Sequence, residues 1–207
     1  MDVDAISDSG ADDRQQEKAA ALQDAAGVTR LVNVVCREDP IWSLELLQRA
    51  AATVEELRLN FPDEAHLLAV HAMPRLRRLE VTGNAYACVP ELPAPLPGAG
   101  VLQWLRVDGL PRATTQTLLR ALGRSLEVLQ MGVGTAGDGE WPFSCDDLPS
   151  LLEQCGLRAL RRLVLGRIVG CTHAAAPCDR QRADARRVLP GAEVLCNWCD
   201  SVAGEVV

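Results

Sequence analysis

The chain has 207 residues, 48% of them apolar and 24% charged, with a formal net charge of −7. No apolar run approaches the length needed to span a membrane, and the acidic total argues against nucleic acid as a partner. The length suits one domain with a short tail.

The charge is unevenly spread. Residues 1–26 carry seven acids and two bases, whereas residues 158–187 carry eight Arg and two Asp. Lys18 is the only lysine. This arginine-rich usage reads as the bias of a GC-rich coding sequence before it reads as a phosphate site. The first ten residues are acidic where a secretory leader is basic and then apolar. They predict no leader and little structure. A cytoplasmic or nuclear protein with mainly reduced cysteines is expected. Residues 12–26 hold strong helix formers and stop at Gly27. Ala19, Leu22 and Ala26 give that helix a thin apolar face, enough to cover one end of a core.

From there a six-residue pattern returns along the chain: apolar, two of anything, apolar, one of anything, apolar. It reads Val54–Leu57–Leu59, Leu76–Leu79–Val81, Leu102–Leu105–Val107, Leu126–Leu129–Met131 and Leu160–Leu163–Leu165. Leu31–Val34–Cys36 is a weaker copy upstream, and Ala192–Leu195–Asn197 a degenerate one near the end. From Leu57 to Leu195 the middle residues lie 22, 26, 24, 34 and 32 apart. In each copy the last two apolar positions are two apart, as on a short strand with one buried face.

The segments between copies read as helices. Pro40 to Ala50 places Ile41, Leu44 and Leu47 on one side, and Asp63 to Met73 carries Leu67 and Val70. Thr114 or Thr115 would cap a helix with Leu118, Leu119 and Leu122, closed by Gly123. Asp146 or Asp147 would cap one with Leu151, Leu152 and Cys155, closed by Gly156. Asp179 to Leu189 is the last. Two connections differ. Residues 85–100 hold four prolines and should be extended, and residues 132–145 are glycine-rich. Both are expected at the surface and mobile.

Short strands alternating with helices predict an α/β fold with a parallel sheet. Charged residues at the outward strand positions argue against a sheet buried on both faces. The leucine spacing resembles leucine-rich repeats over residues 28–200, although only Asn84 fills the Asn/Cys slot that follows each copy; Pro62, Leu110, Gly134, Ile168 and Asp200 stand in the others. The resemblance implies a curved solenoid with outer helices and about six or seven units. Residues 1–27 form its acidic tail and capping helix, and 201–207 a short tail. The irregular units look most like the ribonuclease-inhibitor type, and within it the F-box/leucine-rich-repeat proteins. Val34-Val-Cys-Arg37 followed by Trp42 is similar to the end of an F-box, but the Leu-Pro opening and first helices of that domain are not in this chain. The family would imply the substrate receptor of a ubiquitin ligase, with ligase components as partners.

Stacked strands bring equivalent outward residues side by side. Glu56, Arg78, Trp104, Val128 and Arg162 form one row. Arg58, Glu80, Arg106, Gln130 and Val164 form the next, and Asn60, Thr82, Asp108, Gly132 and Gly166 a third. Alternating signs suggest cross-strand pairs. The expected partner-binding residues are Arg58, Arg78, Glu80, Trp104, Arg106 and Asp108, with Trp104 as an exposed anchor whose loss costs little stability. The expected role is non-enzymatic protein recognition.

Other signals are weaker. Cys171, His173 and Cys178, with Cys196-Asn-Trp-Cys199, form a Cys/His group; Cys171, Cys178, Cys196 and Cys199 are the metal candidates. Only one pair is tight, so reduced cysteines closing the last repeat are expected, with a zinc-stabilised C-terminal module as a further alternative and no cofactor. Gly132-Val-Gly134-Thr-Ala-Gly137 has the dinucleotide spacing, but Asp138-Gly-Glu-Trp-Pro142 follows where a helix should open. His66 and His71 are five apart and expected on a helix surface.

Overall fold

The computed structural model describes residues 1–8, 10, 12–83, 92, 102–167, 170–200 and 202. Asn84, the proline-rich connection apart from Leu92, and the C-terminal tail apart from Val202 lie outside the described residues. Among the described residues seven strands make one sheet: β1 (Arg30–Val35), β2 (Glu56–Asn60), β3 (Arg78–Thr82), β4 (Trp104–Asp108), β5 (Val128–Gly132), β6 (Arg162–Gly166) and β7 (Glu193–Cys196). They lie in sequence order, and every neighbouring pair is parallel. The helices are α1 (Asp4–Ser7), α2 (Gln15–Asp24), α3 (Pro40–Ala50), α4 (Glu64–His71), α5 (Arg112–Leu122), α6 (Leu148–Cys155) and α7 (Ala175–Val188). The fold is therefore α/β with a parallel sheet. No described helix is long and apolar enough to cross a membrane.

The leucine pattern sets the register. Leu57, Leu79, Leu105, Leu129 and Leu163 pair strand to strand, and so do Leu59, Val81, Val107, Met131 and Leu165. All ten are buried, as are the first-slot residues Val54, Leu76, Leu102, Leu126 and Leu160. The helices pack in series, α2 on α3, α3 on α4, α5 on α6 and α6 on α7. Their apolar faces join the strand leucines in one core. Truncating one of the fully buried leucines to Ala removes about 2–5 kcal/mol.

Both end copies are framed differently from the expectation. In β1, Leu31 pairs with Leu57 and Val34 with Leu59, so Leu31 fills the middle slot and not the first. An irregularity between them admits one extra residue, with Asn33 at φ 62°. In β7, Val194 pairs with Leu163 and Cys196 with Leu165. The Ala192–Leu195–Asn197 frame is one residue out, and in a strand such a slip exchanges the faces. Leu195 pairs with Val164 on the outward side.

Four helix expectations also shift. On α3 the buried residues are Trp42, Ser43, Leu46, Leu47 and Ala50, while Ile41 is 82% exposed. The Trp42 indole N–H donates to Lys18 O at 3.1 Å, which fixes that phase. The helix α5 starts at Arg112 after Pro111, so Thr114 and Thr115 are buried inside it and do not occupy its cap position. Asp147 does precede α6, without a side-chain cap bond. The last helix opens at Ala175, earlier than Asp179.

The first residues are not structureless. Asp2 bridges to Val32, Val3 is buried, and α1 packs on β1. On α2 the buried positions are Lys18 and Ala21, followed by Ala25 just beyond its end; Ala19 and Ala26 are exposed. The glycine-rich connection is also more buried than expected. Gly134 N–H donates to Pro142 O at 2.8 Å, and Thr135 N–H to Thr172 O at 2.9 Å. A Cβ at Gly134 would lie 1.8 Å from Phe143 O, so this close backbone approach needs glycine. No helix opens within those glycines, since α6 begins only at Leu148.

Candidate functional site

The outward face of the sheet holds the expected rows in the expected register. Glu56 pairs with Arg78 and Arg78 with Trp104 in one row. Arg58, Glu80 and Arg106 follow each other in the next, and Thr82 and Asp108 pair in the third. Parallel strands put such positions about 4.8 Å apart, close enough for long side chains to link. A continuous run of ion pairs results. Arg30 Nε lies 3.2 Å from Glu56, Arg58 lies 3.7 Å from Glu56 and 3.4 Å from Glu80, and Arg106 lies 3.3 Å from Glu80 and 2.7 Å from Asp108. Glu56 thus takes its charge partners from Arg30 and Arg58. Arg78 instead places its guanidinium 3.8 Å from the centre of the Trp104 ring.

Trp104 is not the exposed anchor expected of it. It is 8% exposed, though it stands outside the leucine core. Strand alternation assigns it to the outward face, but not what lies against it there. A Trp this buried contributes to stability, contrary to the expectation that its removal is nearly free.

The rows are incompletely satisfied. Glu56 Oε1, Arg58 Nε and Asp108 Oδ1 are buried and have no hydrogen-bond partner among the described residues; Glu56 Oε1 and Arg58 Nε make only ion-pair contacts, at 3.7 and 3.4 Å, that lack hydrogen-bond geometry. Buried polar atoms of folded proteins nearly always find a partner; four others, His71 Nδ1, Arg112 Nε, Arg167 Nε and Arg182 Nε, are scattered elsewhere, whereas these three stand on one face.

Two groups elsewhere were only partly legible. Ser43 Oγ lies 2.9 Å from His66 Nε2, and His66 Nδ1 lies 2.5 Å from Asp63 Oδ1. The order of groups is that of a hydrolase triad. His66 is 1% exposed and Ser43 fully buried, so His66 is not the surface histidine expected, and no substrate reaches this serine in the structure. Ser43 Oγ also lies 2.8 Å from Asp39 O, and Asp63 accepts the His66 amide at 3.1 Å. The chain of bonds clamps α3 to the capped start of α4. His71 is half-buried, and burial lowers its pKa.

Of the sequence-predicted metal candidates, Cys178, Cys196 and Cys199 converge, and Cys171 does not join them; its sulphur lies 3.8 Å from Pro142 O. His173 takes the fourth place. Cys36, Cys145 and Cys155 are core thiols. Burial, then the charge of Asp63, pushes Cys36 up to about 12; burial, then the charge of Asp147, does the same for Cys145; burial raises Cys155 to about 11.

Comparison of the chain with protein-family models, with curated proteins and with solved structures finds no match in any of the three.

Proposed function

We propose that this chain is a non-enzymatic recognition module of the leucine-rich-repeat type, a solenoid that binds a protein partner across the outward face of its parallel sheet. The observation that carries the reading is the set of orphaned polar atoms in the charged rows, at Glu56, Arg58 and Asp108. A partner carrying donors opposite the carboxylates and an acceptor opposite Arg58 would complete them. Such charge-assisted bonds give more specificity than affinity. Arg78 stacked on Trp104 supplies a stiff platform at the centre, with Arg58, Glu80, Arg106 and Asp108 around it. The narrower form, a ubiquitin-ligase substrate receptor, requires an adaptor-docking domain in addition. Residues 4–24 supply two helices that pack on β1 and α3 instead.

The test is a differential pull-down with the full chain against Arg58→Ala/Arg106→Ala. Both side chains are partly exposed, but Asp108 is 7% exposed and loses its ion pair, so the variant is less stable and is compared with wild type at a temperature where circular dichroism shows both folded. A partner retained by wild type and lost from the folded variant is the expected result. Equal recovery of every partner by the two proteins refutes the reading.

A further inference from the structure

We infer that His173, Cys178, Cys196 and Cys199 form a structural zinc site that closes the C-terminal end of the sheet. Their ligand atoms all lie within 4.8 Å of one another. Zinc binds thiolates at about 2.3 Å and imidazole at about 2.0–2.1 Å, so a tetrahedral site sets sulphur–sulphur separations near 3.8 Å and sulphur–nitrogen separations near 3.6 Å. The sulphurs of Cys199 and Cys178 are 3.8 Å apart, and His173 Nε2 lies 3.7 Å from Cys196 Sγ and 3.3 Å from Cys199 Sγ. The cysteines are free thiols. One imidazole nitrogen cannot satisfy two sulphurs at once, whereas a single cation at the centre serves all four groups.

The chain arranges these ligands from local structure. Cys196 ends β7 and Cys199 follows in a turn in which Cys199 N–H and Asp200 N–H both donate to Cys196 O, at 3.2 and 2.8 Å. Cys178 lies in the first turn of α7, where the helix dipole favours negative charge. His173 precedes that helix, and its ring packs edge-on against Trp198 at 5.1 Å. The spacing is His-x4-Cys, seventeen residues, then Cys-x2-Cys. Two ligand pairs separated by about 15–20 residues is a zinc pattern, with histidine in place of the expected Cys171.

A second, independent observation is Arg167. It is 4% exposed, and among the described residues no carboxylate lies within ion-pair distance of it. Its Nη2 instead meets Cys178 Sγ at 3.2 Å and Gln181 Oε1 at 2.9 Å. Zinc with three thiolates and one neutral imidazole carries a net charge of −1. Arg167 supplies the matching positive charge and the donor that thiolate ligands ordinarily receive from a second layer. Four protein ligands leave no open position, so the site is structural and not catalytic, and three soft sulphurs favour zinc over magnesium or calcium. Cys178 and Cys196 are buried and Cys199 is exposed, which leaves an entry route.

The experiment is metal analysis of the full chain purified from zinc-supplemented medium, then cobalt(II) reconstitution. Expected are about one zinc per chain and the absorption of tetrahedral cobalt with thiolate charge-transfer bands. Cys199→Ser, in an exposed turn, and His173→Ala lose most of the metal while keeping wild-type circular dichroism. Cys171→Ser retains it. A chelator lowers the melting temperature of wild type but not of Cys199→Ser. Less than about half an equivalent of zinc without a cobalt spectrum overturns the site. So does stoichiometric iron or copper in its place, a Cys178–Cys199 disulfide in the purified chain, or equal metal loss from Cys171→Ser and Cys199→Ser.

Discussion

The two ends of the sheet each bury a cation, and they neutralise it differently. At the β1 end Lys18 is 2% exposed, and its Nζ lies 2.8 Å from Asp39 Oδ2 and 2.6 Å from Gly10 O. The ammonium also stands 5.7 Å from the Trp42 ring centre. The chain supplies both charges there. At the β7 end Arg167 is equally buried but faces sulphur, and its countercharge arises only when the thiols ionise around a metal. A terminal strand has one unpaired edge and must be sealed. The β1 end carries a charge pair complete in the sequence beside the edge that residues 1–3 cover, the β7 end a site that the chain's own atoms leave unfinished.

The largest effect should come from breaking the complete end. Lys18→Ala leaves the Asp39 carboxylate buried without its partner, and should cost about 3–5 kcal/mol in chemical denaturation. Lys18→Met/Asp39→Asn removes both charges and keeps an acceptor for the Trp42 amide, which Asp39 now holds at 3.1 Å. Most of the lost stability should return, and zinc or chelator should not change either result. If Lys18→Ala unfolds at the wild-type denaturant concentration, the charge pair adds nothing to the stability of that end. The centre of the sheet provides the control that belongs to neither end. Trp104→Ala should cost about 3 kcal/mol, again independent of metal. A loss under about 0.5 kcal/mol would show that the ring is uncovered in solution, as the sequence alone suggested.

The middle of the sheet was legible and its ends were not, for one physical reason. Where strands repeat with full flanking slots, the leucine spacing fixes the register, so Glu80 falls between Arg58 and Arg106 as expected. At β1 a single extra residue at Asn33 breaks the count. At β7 the larger Leu195 masks the smaller Val194 and Cys196 that point inward. The phase of α3 was misread because Ile41 looks like a core residue, while the bond from Trp42 to Lys18 O is tertiary and leaves no local signal. Lys18 itself was readable only as the sole lysine; Asp39, twenty-one positions on, decides its burial. In the metal group, the tight Cys196/Cys199 pair could be seen. The choice of His173 over Cys171 depends on the turn before α7.

Arg167→Met sharpens the contrast most finely. The substitution keeps length and apolar bulk but removes the positive charge beside Cys178. It also leaves Val133 O, which Arg167 Nη1 holds at 2.5 Å, and Gln181 Oε1 to find other donors. If the guanidinium is the countercharge of a zinc–thiolate centre, its loss should weaken the metal about 10–100-fold, read by competition with a chromogenic chelator. In Lys18→Met/Asp39→Asn the same competition should match wild type. Equal affinity in Arg167→Met and wild type would mean that the arginine is held by Val133 and Gln181 alone. The β7 end would then carry its buried charge without compensation from the sulphurs, and the two ends would differ in cost rather than in kind.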